Sequence, residues 1–181
     1  MRIALKILSL CVALVIAGCS TDRATKEAIR RAETIAREMP DSALVLIESV
    51  DPQNVSGEDD KAHYRLVEAE VLYYNRILPD REEVAQPLFD HYLTSNDHRE
   101  RARAMYQYAL VMQAEGENAE ALYALLEAEK SLDLCKYLDK PRLQGLVHRT
   151  KGEIYGVECL FSNAYEERAL AKVCFERANL P

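Results

Sequence analysis

Tryptophan is absent from the 181-residue chain, phenylalanine occurs three times, and glycine and proline occur six times each. So little glycine and proline excludes collagen-like and low-complexity architectures. No segment alternates apolar and polar residues as a half-buried strand would, which speaks against a sheet protein. Enzyme signatures are missing as well. There is no GxSxG, no P-loop and no HExxH, hence no nucleophile elbow, phosphate cradle or zinc pair to read. Positive charge is in deficit: 23 Lys and Arg stand against 30 Asp and Glu, a net charge of -7. Such a chain repels phosphate backbones, which argues against nucleic acid as a partner. The four histidines, His63, His91, His98 and His148, are scattered. His91 and His98 would share a helix face only if one helix ran through Thr94 to Asp97, and that stretch reads as a turn. We therefore expect no metal site and no cofactor. Adjacent carboxylates such as Glu82-Glu83 and Glu166-Glu167 do not share a helix face and read as solvated surface.

Long apolar runs are confined to the N-terminus. Arg2 and Lys6 precede a run from Ile7 to Ala17 broken only by Ser9, the charged and apolar parts of a signal peptide. The run is short of the roughly 20 residues that a spanning helix needs. It leads into Ile16-Ala17-Gly18-Cys19, which resembles the lipobox of bacterial lipoproteins. The resemblance implies cleavage before Cys19 and lipidation of its thiol and new amine, so that two or more acyl chains hold the protein on a membrane. Ser20, not aspartate, follows the cysteine, and the resemblance then points to the outer membrane of the cell envelope. The expected organisation is a signal peptide over 1–18, a lipidated tether over 19–23 and one domain over 24–181. Loss of Arg2 and Lys6 leaves 21 basic against 30 acidic residues and takes the net charge to -9. Attachment must therefore come from the lipid. Cys135, Cys159 and Cys174 remain, an odd number without CxxC spacing. They read as small buried hydrophobes, with any disulfide pairing left open.

Past Asp22 the periodicity is helical throughout, which predicts an all-α domain of about eight helices. The candidates are 23 to 38, 41 to 50, 58 to 77, 81 to 94, 98 to 115, 118 to 137, 142 to 157 and 161 to 178. Pro40, Asp51-Pro52, Pro79, Gly116 and Pro141 stand at or beside the breaks, where a missing amide proton or a free backbone is tolerated. Asp80 and Glu83 have capping-box spacing. Pro87 falls inside the candidate 81 to 94 and predicts a kink or a late helix start.

The helices also repeat. With Ala102 as the first position of a 34-residue unit, Ala109 falls at position 8, Ala121 at 20, Leu125 at 24 and Ala128 at 27. Starting at Gly145, Gly152 falls at 8, Ala164 at 20 and Ala171 at 27, with Arg168 at 24 where an apolar residue is expected. Fainter copies start at Ala62 and Ala24. The pattern resembles the tetratricopeptide repeat, and lipobox and repeats together resemble the tetratricopeptide-repeat lipoproteins of Gram-negative bacteria. The resemblance implies an α-solenoid of about four antiparallel helical hairpins whose small residues let paired helices approach closely.

Carried over by register, the resemblance places His63, Tyr73, Tyr74, Arg103, Tyr106, Gln113, Arg149 and Glu153 on the concave, partner-binding face. Tyrosine and arginine suit such a face, because they join large apolar area to hydrogen bonding. The implied role is non-catalytic capture of a protein or peptide partner at the membrane. Two other roles fit the same resemblance: an assembly or scaffolding subunit, and a sensor-like remnant of a regulator that takes a small ligand or carbohydrate.

Overall fold

The computed structural model describes residues 23–179; the segment read as a leader, the expected lipid acceptor Cys19 and all but the last residue of the expected tether lie outside the described residues. Among the described residues there are eight α-helices and no strand. Helix α1 covers 23–35, α2 Pro40–Glu48, α3 Glu58–Tyr74, α4 Gln86–Tyr92, α5 His98–Glu115, α6 Asn118–Leu134, α7 Lys140–Val157 and α8 Phe161–Arg177. Helices adjacent in sequence pack in pairs, α5 with α6 and α7 with α8 most extensively. The described part of the stretch read as one domain forms two compact units, divided between Ile77 and Leu78.

In the first unit the core follows helical spacing. Ile29, Ala32 and Ala36, then Ala43, Ile47 and Val50, then Tyr64, Val67 and Val71 recur three or four residues apart and bury against one another with Val55. Pro40 opens α2, where its missing N–H costs nothing. Helix α3 stops three residues short of its expected end at Ile77. Asn75 donates its side-chain amide to the carbonyls of Val71 at 2.8 Å and Pro40 at 3.0 Å, and Arg76 turns left-handed at φ 60. The Ile77 N–H then bonds the Leu72 carbonyl at 2.9 Å, closing the helix as a Schellman end does.

The second unit begins with the Asp80 cap, whose carboxylate accepts the Glu83 N–H at 2.8 Å. Pro87 has the effect expected of it. Residues Arg81–Ala85 form one π turn, in which the Ala85 N–H bonds the Asp80 carbonyl at 3.0 Å. The α-helix starts at Gln86, so Pro87 lies in its first turn, where no donor is required of it. Asp97 caps α5 by accepting the N–H groups of Arg99 at 3.1 Å and Glu100 at 3.0 Å. Gly116 ends α5 at φ 84, a conformation that glycine adopts without strain. Ala109, Ala121 and Ala128 are fully buried in the α5–α6 pair.

Helices α7 and α8 meet through glycines. A Cβ on Gly145 would stand 2.5 Å from the Phe175 ring, and one on Gly152 3.3 Å from the Ala164 carbonyl oxygen. Arg168 occupies the register position expected to be apolar, and its Cγ would lie 3.0 Å from such a Cβ at Gly152. The stem of the arginine thus does the packing of an aliphatic side chain while the head stays at the surface. The three cysteines are free. Cys174 is buried as expected, whereas Cys159 is exposed in the α7–α8 turn at φ 59.

Candidate functional site

A partly buried polar cluster of the second unit joins α6, α7 and α8. His148 and Lys151 lie one turn apart on α7 and face a carboxylate from each neighbour. The Nδ1 of His148 is 2.7 Å from Glu167 Oε2 on α8 and 3.4 Å from Glu129 Oε1 on α6. The Lys151 ammonium donates to both oxygens of Glu129, at 3.0 and 2.9 Å, and is 2.7 Å from Glu167 Oε1. Only 7% of the Lys151 side chain is exposed, against 14% for Glu167 and 24% for Glu129.

Burial alone would favour the neutral forms of these groups. For Glu167 the hydrogen bonds from His148 and Lys151 outweigh it and hold the carboxyl below its ordinary range. For Lys151 the bonds to Glu167 and Glu129 outweigh the same penalty and raise the ammonium above its ordinary value. Both groups are therefore charged at neutral pH.

One atom each of Glu129, His148 and Glu167 lies within 4.8 Å of the others, a donor set that suits a divalent cation. The ammonium of Lys151 already bridges the two carboxylates and supplies the positive charge there. A metal would have to displace it, so these residues fit an ion-paired cluster better than a metal centre. A cleft of about 410 Å³ opens beside the cluster, lined by Leu126, Glu129, Lys130, Asp133, Gln144 and His148. The chain matches no family model, no curated protein and no solved structure. Its own side chains must carry the functional argument.

Glu166-Glu167 requires a correction. Glu166 is exposed, but Glu167 is drawn into the cluster, because it sits between Ala164 and Ala171 on the inward face of α8, three and seven residues along. That spacing was the available signal. The pairing of His148 with it crosses between helices and is not readable from adjacency.

The residues assigned by register divide between the units. In the first, His63 is 3.6 Å from Glu33. It also lines a hollow of about 240 Å³ with Thr25, Lys26, Ile29, Arg30, Val55 and Asp60. Tyr73 and Tyr74 are half-buried and meet edge to face with ring centroids 5.3 Å apart. In the second unit Tyr106 is 2% exposed and Arg103 8%, so neither stands on an open surface. Gln113, Arg149 and Glu153 do come together. Gln113 Nε2 is 3.4 Å from Glu153 Oε2 across α5 and α7, and Arg149 Nε is 3.7 Å from Glu153 Oε1.

Proposed function

We propose that this chain is a lipid-anchored binding protein of the Gram-negative cell envelope, a tetratricopeptide-like array that takes a peptide or protein partner and does no chemistry on it. The observation that carries the reading is the polar row of Gln113, Arg149 and Glu153. It lies on α5 and α7, the first helices of two successive hairpins, which are the helices that line the concave face in such repeats. The Arg149 and Glu153 side chains are 46% and 49% exposed. An incoming carboxylate can therefore compete with Glu153 for the guanidinium, gaining a charge-assisted hydrogen bond. The test is capture from envelope extracts followed by mass spectrometry, repeated with Arg149→Glu. The variant should keep its helicity and lose the partner; normal capture by the folded variant overturns the assignment. The anchor has its own test. Cys19→Ala should abolish labelling by a fatty-acid analogue, and a variant that still labels and fractionates with the outer membrane would refute it.

The cleft beside His148 favours a second reading, the sensor of a small polar ligand. Saturable perturbation of the His148 imidazole resonances by a carbohydrate or metabolite pool would support it, and an unresponsive spectrum would dismiss it.

A further inference from the structure

Helix α8 packs against α7 through Ala164, Glu167, Arg168, Ala171, Cys174 and Phe175, and the opposite side of the helix faces outward. Phe161, Tyr165, Ala169 and Val173 follow at four-residue intervals on that outer side, so they form one continuous ridge. Phe161 is 70% exposed, Tyr165 76% and Val173 42%, with Leu170 at 48% beside them. Val157 at 73% and Leu160 at 49% extend the apolar surface into the preceding turn. At these exposures the six large side chains present roughly 600 Å² of apolar area, the upper end of what the largest patch on a monomer shows.

We infer that this ridge is a two-fold interface with a second copy of the chain, a surface separate from the polar row on α5 and α7. Area and charge both point to a copy. Two such patches together offer at most about 1,200 Å² for burial, the lower bound for a stable specific interface. Ala169 stands at the middle of the ridge, and its small side chain lets two antiparallel α8 helices approach closely. Reversal about Ala169 sets Tyr165 of one copy against Val173 of the other, and Val173 against Tyr165, as an isologous contact requires.

Two copies of a chain with net charge -7 repel each other unless the contact itself is balanced. Helix α8 is balanced: Glu166, Glu167 and Glu176 stand against Arg168, Lys172 and Arg177. Glu166 and Arg177 lie eleven residues apart, three helical turns, and so share one flank of the ridge. Reversal about Ala169 leaves Glu166 of each copy five residues, about 7.5 Å along the axis, from the level of Arg177 of the other, so the flank attracts without a direct pairing of the two.

The test uses the full chain in neutral detergent, with Cys135→Ser and Cys159→Ser as the parent. Adding Ala169→Cys should give a disulfide-linked dimer on mild oxidation. Further change of Tyr165→Glu and Val173→Glu should abolish it while far-UV circular dichroism stays that of the parent. Light scattering on the unoxidised wild type should give twice the chain mass, and the Glu double variant should self-associate at least about tenfold more weakly, as loss of an aromatic anchor does. A monomeric wild type at the highest attainable concentration overturns the inference. So does cross-linking that survives the Glu substitutions, or an adduct formed only with a different protein or with lipid.

Discussion

Replacing Lys151 with methionine keeps the length of the stem and removes the charge that Glu129 and Glu167 share. The cluster thereby loses one positive charge beside carboxylates that both lie within 3.0 Å of the lost ammonium. Breaking a buried ion pair by deleting one partner costs about 3–5 kcal/mol; because Glu129 keeps some access to water, we expect about 3 kcal/mol here. Urea unfolding followed by circular dichroism measures it. The pH dependence supplies the sign. The Glu167 carboxyl is lowered from its ordinary 4.5, so its stabilisation is present above that value and fades as pH falls through the lower folded value. Lys151 is raised from 10.5, so its contribution is complete below that value and fades as pH rises through the higher one. The wild-type advantage over Lys151→Met should thus be flat between these limits and shrink in acid. Adding Glu167→Gln to Lys151→Met should recover part of the loss. A methionine variant that unfolds within about 0.5 kcal/mol of wild type at neutral pH, the scatter of ordinary surface changes, would refute the reasoning.

Ala121 is fully buried in the α5–α6 pair, so Ala121→Leu should overpack it and cost about 1–3 kcal/mol in the same assay; unchanged unfolding would sink the repeat register. Gly145→Ala puts a methyl 2.5 Å from a Phe175 ring carbon and should lower the melting temperature, while adding Phe175→Leu should restore it in part. Failure of that rescue would show that the strain lies elsewhere. Arg101 and Lys130 both bind Glu127, which Lys130 and Arg101 hold below the ordinary carboxylate range despite burial. Glu127→Gln should therefore destabilise the chain at neutral pH and lose its effect in acid, and a pH-independent penalty would count against that assignment.

The features legible in the sequence are those set within one or two turns of chain. Pro40, Asp80 and Gly116 mark boundaries because a missing donor, a capping carboxylate and a left-handed residue each act on their own neighbours. Ala109, Ala121 and Ala128 were readable through a period, since close helix approach demands small side chains at fixed spacing. Burial of Arg103 and Tyr106 was not readable, because register states which face of α5 a residue occupies but not how deeply that face is covered. The cluster was hidden for a related reason. Glu129, His148 and Glu167 belong to three helices, and only packing brings their ligand atoms within 4.8 Å. The Glu127 network with Arg101 joins α6 to α5 over 26 residues and was invisible on the same ground.

Arg168 covers Gly152 with its stem and reaches Gly156 with its head, where Nη2 would be 3.2 Å from a Cβ. Spacing between α7 and α8 therefore depends on carbons that every long, unbranched side chain possesses. Lysine, glutamine or methionine at this position retains the Cγ over Gly152 and changes only what solvent meets; serine or aspartate strips the glycine of its cover. Net charge on this side of the protein can thus drift over generations, in steps of one unit, while the two helices keep their distance.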